Sequence, residues 1–212
     1  MLVLTALLTL WSLVAHAPLE ELANPNKTPN PSKAPWYFVG LQELLVYFDP
    51  WMAGVVLPTL IIVGLMAIPY VDTNPIGIGY YNFRNRKFAV SMFTFGLVFW
   101  FVLIFIGYYM RGPGWELYMP WEPWDPHRPA SQVGLHDMPN WAGVLLLAAY
   151  GGLGMVLPKL LFKNFCKTLG PVRYVVVMTL VLLMFFVPLK IVLRNFFSIK
   201  YIVSFPDFNL NL

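Results

Sequence analysis

The sequence predicts an all-α integral membrane protein of about five transmembrane helices, with a short interfacial helix after the first. Of the 212 residues, 58% are hydrophobic and only 11% are charged, a balance that a soluble domain of this size would not tolerate. Five stretches also lack any Asp, Glu, Lys or Arg: 1–19, 50–71, 88–110, 138–158 and 174–189. The middle three reach the roughly 20 residues that a helix needs to cross a bilayer.

The first and last stretches need separate arguments. Residues 2–14, followed by Ala15-His16-Ala17, resemble the hydrophobic region and cleavage site of a secretory signal, but no Lys or Arg precedes them. We therefore interpret this segment as a retained membrane helix, with a secretory signal as the alternative. The last stretch is shorter, but Lys190 and Arg194 can snorkel and let its helix continue.

The loops between these stretches differ in charge. Loops 72–87 and 159–173 carry seven Lys or Arg residues against one acid, whereas loops 20–49 and 111–137 hold eight of the ten acids. Because cytoplasmic loops are enriched in Lys and Arg, we place the first pair in the cytoplasm and the second in the periplasm. The N-terminus is then cytoplasmic and the C-terminus periplasmic, in a bacterial-type inner membrane or an equivalent energy-transducing membrane.

Residues 32–51 form the predicted interfacial element between the first two stretches. They are too polar to cross a bilayer, yet they are rich in the aromatic residues that settle at a membrane–water boundary. From Phe38 through Leu41 and Leu45 to Phe48, apolar residues recur at helical spacing. We therefore expect a short amphipathic helix that lies against the membrane and holds Glu43 close to lipid depth.

A second aromatic segment occupies residues 110–139. It contains Trp115, Trp121 and Trp124 together with six prolines. An aromatic belt with rigid turns is the simpler interpretation, and a docking face for an extrinsic redox partner is the alternative.

Several kinds of chemistry are excluded by the residues available. Cys166 is the one cysteine, which rules out an internal disulfide, a paired-thiol redox motif and covalent haem attachment through two cysteines. His16, His127 and His136 do not lie on facing helices, so we expect no metal ligands in this chain and assign any metals to a partner. No nucleotide-binding loop or nucleophile constellation appears. The net charge of +4 says little about the class of partner, and no nucleic-acid partner is expected.

A quinol-binding site needs fewer specialised residues than a haem, metal or nucleotide site. It needs an apolar, aromatic-walled pocket near the membrane surface and one or two groups that accept protons. Trp36, Tyr37 and Phe38 are candidate walls, while Tyr47 and the carboxylate of Glu43 are candidates to hydrogen-bond quinol or take its proton. The alternative is that Glu43 caps its helix, snorkels or pairs with Lys33.

Several segments carry a resemblance to a known family. They are Pro18-Leu19-Glu20-Glu21-Leu22-Ala23-Asn24-Pro25 through Thr28-Pro29, then Ala34-Pro35-Trp36-Tyr37-Phe38, and the span that ends in Ile68-Pro69-Tyr70. Over residues 1–110 the chain resembles the C-terminal half of cytochrome b, and more narrowly subunit IV of split cytochrome bc complexes. Residues 111–212, with the tryptophan-rich loop and two further transmembrane helices, extend beyond that pattern.

The resemblance implies a place for the quinol site and also exposes a difference. In the family, a Pro-Glu-Trp-Tyr motif follows the first helix and borders the quinol-oxidation site on the positive side. Aligned on Trp36 and Tyr37, the family glutamate falls on Pro35, so its carboxylate cannot be carried over. Glu43, seven residues after Trp36, is the candidate to replace it.

The resemblance also implies the function and the partners. The chain is expected to complete the quinol-oxidation site of a quinol–cytochrome c oxidoreductase, being enzymatic only as a subunit. A partner cytochrome b is expected to hold haem b, with an iron–sulfur protein and a c-type cytochrome in the same complex. The alternatives are a non-catalytic membrane anchor, or a quinone-binding subunit of another respiratory complex with a multihaem partner.

Overall fold

A computed structural model describes residues 1–15, 22–72, 83–84, 86–125, 127, 134–205 and 210–212. Within them the fold is all-α apart from one two-stranded hairpin, which confirms the predicted class. Within the same described residues, four helical segments are long and apolar enough to cross a membrane: Met52–Val71, Lys87–Met110, Asn140–Leu161 and Pro171–Phe197. They correspond to the four later charge-free stretches of the sequence.

The first predicted helix is shorter than the others. Helix α1 covers Leu2–Val14, and no residue in it is buried. Thirteen residues at about 1.5 Å each span about 20 Å, less than the roughly 30 Å of a bilayer core. The predicted five membrane helices are therefore four long ones and one short apolar one.

The other elements follow in order. Helix α2 covers Val39–Tyr47. A π-helical turn, Met52–Val56, leads into α3 at Leu57–Val71, and α4 at Lys87–Phe105 continues into a second π-helical turn, Ile106–Met110. A single 3-10 turn, Pro113–Trp115, opens the next loop, which is followed by α5 (Asn140–Leu161), α6 (Lys163–Leu169) and α7 (Pro171–Phe197). Strands β1 (Ser204–Phe205) and β2 (Leu210–Asn211) pair antiparallel in the C-terminal tail.

Helix α2 coincides with the predicted interfacial helix, and one of its faces packs on protein. Its buried residues are Val39, Gly40, Glu43, Leu44 and Tyr47, and this face packs against α4 and the π-helical turn after it. Phe38 and Leu45, from the apolar set expected against the membrane, are about half exposed, at 50% and 46%, whereas Phe48 of the same set is buried. Glu43 lies on the face that protein covers, and its depth relative to the membrane stays a prediction.

The C-terminal tail closes the same end of the bundle. Ile202 and Val203 are buried, and Gly143 of α5 leaves room for them, since a Cβ there would lie 1.8 Å from the carbonyl oxygen of Ile202. The Tyr201 hydroxyl donates to Asp49 Oδ1 at 2.8 Å, and Asn211 Nδ2 donates to Asp49 Oδ2 at 2.7 Å. Asp49 therefore ties the tail to the segment that follows α2.

Candidate functional site

A buried ion pair lies at the centre of this end of the bundle. Glu43 is 0% exposed, and Arg111 is 6% exposed. Arg111 Nε donates to Glu43 Oε2 at 2.8 Å and Arg111 Nη2 donates to Glu43 Oε1 at 2.7 Å, which makes the pair bidentate. Tyr47, one turn later on α2, donates its hydroxyl to Glu43 Oε1 at 3.0 Å. The carboxylate is thus held by one cation and one phenol.

The local sequence explains how Glu43 and Arg111 meet. Gly107, in the π-helical turn at the end of α4, has no side chain where α2 crosses it. A Cβ at this position would lie 2.4 Å from Val39 Cγ1 and 3.6 Å from Glu43 Cβ. The glycine therefore permits the close approach of α2, and the chain leaves the π-helical turn at Arg111, beside the carboxylate.

The loop after Arg111 is fixed by hydrogen bonds on both sides. Arg111 Nη1 donates to the carbonyl oxygen of Trp115 at 3.0 Å, and the Gly114 amide donates to Asn30 Oδ1 at 2.8 Å. Trp115 adopts a φ of 60°, a left-handed conformation that is uncommon outside glycine, directly after Gly114 at 67°. Arg111 therefore links Glu43 to a constrained turn.

Burial and charge set the protonation of the phenol. Burial raises the pKa of Tyr47, and the negative charge of Glu43 raises it further. Tyr47 therefore keeps its proton at ordinary pH and acts as a hydrogen-bond donor to Glu43. Burial alone would lower the pKa of Arg111, but the hydrogen bond and charge of Glu43 outweigh that effect and raise it, so the guanidinium stays charged.

A cavity of about 650 Å³ opens next to this cluster. Tyr47 and Arg111 belong to its wall, whereas Glu43 lies behind them and does not line it. The remaining wall comes from the proline-rich connector, from α2, from the loop after Arg111 and from the end of α7 with the tail, and includes Asn30, Gln42, Leu45, Asp49, Trp115, Glu116, Arg194, Lys200 and Tyr201. Glu43 is thus connected to the cavity through its two hydrogen-bond partners.

The predicted aromatic wall lies apart from that cavity. Trp36, Tyr37 and Phe38 are 58%, 49% and 50% exposed, and none of the three lines the cavity. Trp36 and Tyr37 meet edge to face at 5.8 Å between ring centroids, and Tyr37 and Phe38 lie at 4.6 Å. The structure therefore brings Glu43 together with Tyr47, but it leaves the three preceding aromatic residues as an exposed surface at the start of α2.

Lys33, the alternative partner expected for Glu43, makes other contacts. Lys33 donates to the carbonyl oxygen of Tyr108, and its Nζ lies 5.1 Å from the ring centroid of Trp124. Glu43 pairs with Arg111 instead, a residue that the sequence analysis did not single out. One signal was present in the sequence: Arg111 directly follows a charge-free stretch on the side where acids predominate.

The described residues form no haem-binding group. Among them, no three His, Cys, Asp or Glu side chains form a group that can hold a metal ion. His136 lies in a loop, where its backbone bonds the tail at Ser198 and Lys200, and the His127 amide donates to its neighbour Asp125. His16 lies outside the described residues.

Comparison with known proteins gives one family. Residues 22–119 match the profile described as cytochrome b (C-terminal)/b6/petD. The matched segment contains α2, both π-helical turns, Glu43, Tyr47 and Arg111. Neither a curated protein nor a solved structure matches the chain.

Proposed function

We propose that this chain, whose residues 22–119 match the cytochrome b C-terminal family, completes the quinol-oxidation site of a quinol–cytochrome c oxidoreductase. Its four long apolar helices support an integral membrane protein, and the family match supports a subunit of a cytochrome bc-type complex. The reaction and the residues that perform it are the proposal. The observation that carries it is the buried Glu43 carboxylate, placed on the helix that follows the Trp36-Tyr37 motif.

Glu43 is proposed to receive a proton from quinol. Oxidation of a quinol to a quinone releases two electrons and two protons, so the site needs a base within hydrogen-bond reach or one step away. Tyr47 bridges Glu43 and the cavity and keeps the carboxylate oriented through a 3.0 Å hydrogen bond. Protonation of Glu43 weakens its attraction to Arg111, so the bidentate pair must loosen as the proton arrives.

The exposed aromatic surface supports the need for a partner. Trp36, Tyr37 and Phe38 are each about half exposed, although aromatic rings of this size contribute most when they are covered. In the proposal, a haem-bearing cytochrome b covers this surface, and the quinol lies between the two subunits with a hydroxyl directed to the cavity, where Tyr47 relays the proton to Glu43. Electrons then leave to an iron–sulfur protein and to haem b, both held by partner chains.

Two other functions have specific support. A bidentate pair buried as deeply as Glu43 and Arg111 also suits a membrane anchor in which the cluster only stabilises the fold. Trp121 and Trp124, at 82% and 51% exposed, offer an aromatic surface for a multihaem partner of another respiratory complex. The bc-type function is preferred because the family match covers the segment that holds the candidate site.

Purification of the native complex through a tag on this chain tests the proposal. We expect a haem-bearing cytochrome b and an iron–sulfur protein to co-purify, and the complex to reduce a c-type cytochrome when quinol is supplied. A multihaem protein without an iron–sulfur protein would favour the other respiratory complex. A complex with no quinol-dependent electron transfer would favour the anchor.

A further inference from the structure

We propose that the 650 Å³ cavity binds the phosphate headgroup of an anionic phospholipid, chiefly through Arg194 and Lys200. The two cations come from different segments, the end of α7 and the tail that follows it. This inference does not rest on the proposed quinol chemistry, although Tyr47, which bridges Glu43 and the cavity in that proposal, lines the same cavity.

Both cations lack an acidic partner among the described residues. The Arg194 guanidinium lies 6.0 Å from the ring centroid of Tyr47, and Lys200 Nζ lies 5.0 Å from that of Tyr201. Neither forms an ion pair or a side-chain hydrogen bond within the part of the chain that the structure describes, and both are partly buried. Because partly buried charge is costly without a counter-ion, this cavity wall favours an anionic ligand.

The other charged groups of the cavity are already engaged. Arg111 uses Nε and Nη2 on Glu43 and Nη1 on the carbonyl oxygen of Trp115. Each oxygen of Asp49 accepts a hydrogen bond, and buried Glu116 has interactions of its own. The cavity therefore offers Arg194 and Lys200 as its available charged donors.

The two cations indicate which anion suits the cavity. A ligand that accepts hydrogen bonds from both Arg194 and Lys200 needs several acceptor oxygens. Phosphate suits this role because it presents acceptors in several directions and matches the planar fork of an arginine.

The position and the rim of the cavity favour a lipid as the source of that phosphate. Its wall includes Asp49 just before the Met52–Val71 span, Arg111 just after the Lys87–Met110 span and Arg194 near the end of the Pro171–Phe197 span. Ends of spanning helices lie at the level of lipid headgroups. Leu45, 46% exposed, supplies an apolar rim along which an acyl chain can pass into the bilayer.

Lipid binding to the purified native complex tests the inference. The complex is stripped of lipid with detergent, supplied with phosphatidylglycerol, and bound lipid is counted by native mass spectrometry. Arg194→Gln and Lys200→Gln should each weaken binding about fivefold, the effect of one basic residue near an anionic lipid. Lys163→Gln on α6 is the matched control, since it removes one charge outside the cavity.

Three further measurements keep the outcome decisive. The pair Arg194→Lys with Lys200→Arg retains the charges and should retain the lipid, which separates lost binding from lost folding. Phosphatidylcholine should bind less well than phosphatidylglycerol, and inorganic phosphate should not replace it. Equal lipid binding by the Gln variants and the control, full competition by inorganic phosphate, or occupation of the cavity by an acidic partner segment would each overturn the proposal.

Discussion

The Glu43–Arg111 pair allows one test that separates chemistry from folding. Glu43→Gln keeps the shape of the side chain but removes its charge and its capacity to take a proton. Arg111→Met removes the cation that the first change leaves without a partner. Comparing both single variants with the double variant distinguishes a catalytic carboxylate from a structural one.

The structure sets the expected magnitudes. The two nitrogen–oxygen distances are 2.8 and 2.7 Å, and the carboxylate is 0% exposed. Removing one partner of such a buried pair costs roughly 3–5 kcal/mol, whereas replacing both is close to neutral. Each single variant should therefore destabilise the complex by about that amount. The double variant should recover part of it, because the buried Gln amide keeps only Tyr47 as a partner and the carbonyl oxygen of Trp115 loses its donor. Loss of a general base should slow quinol oxidation by roughly 100- to 10,000-fold.

The assay measures thermal unfolding and quinol-dependent reduction of a c-type cytochrome on the same purified complexes. If Glu43 accepts a proton, the double variant regains stability and stays slow. Recovery of both stability and turnover in the double variant would refute the catalytic role and leave the pair with a structural one. An unimpaired rate in Glu43→Gln alone would refute it as well.

Four further predictions concern single positions. Tyr47→Phe removes the hydrogen bond to the buried carboxylate and should cost about 1 kcal/mol of unfolding free energy in a melting experiment. Trp36→Ala should raise the KM for quinol about 2- to 10-fold with little change in kcat, if the ring packs on the substrate; a change in kcat alone would contradict that role. Gly107→Ala places a Cβ 2.4 Å from a side-chain atom of α2 and should destabilise by roughly 1–3 kcal/mol, whereas Gly54→Ala, with nothing within 4 Å, should be neutral in the same melts. Burial raises the pKa of Tyr201 to about 12, so its stabilising contribution is full below about pH 10 and is lost as pH rises toward 12; Tyr201→Phe should flatten that alkaline loss.

The spanning helices were predictable because charge marks their ends. The charge-free stretches 50–71 and 88–110 closely match the spans Met52–Val71 and Lys87–Met110. Helix α2 was also predictable, since Pro35 ends an extended segment and helical spacing of apolar residues follows. These features depend on residues that are close together in the sequence, so the sequence alone predicts them.

The environment of α2 was not predictable in the same way. Which face of the helix is buried depends on Gly107, which lies far along the chain and lets α4 approach Val39. The same is true of Arg111, which is 68 residues from Glu43 and is brought to it by that crossing. Sequence spacing identified Glu43 and Tyr47 as candidates, but the cation that pairs with Glu43 follows from tertiary packing.

Reduction of haem by quinol in the native complex tests whether this chain completes a quinol-oxidation site in which Glu43 accepts a proton. The complex is purified through this chain, and an optical difference spectrum is recorded before and after quinol is added. We expect a b-type haem signal from a partner cytochrome b. Quinol should reduce this haem in the wild type and reduce it far more slowly in Glu43→Gln. The absence of any b-type signal, or reduction at an unchanged rate in the variant, would contradict this expectation.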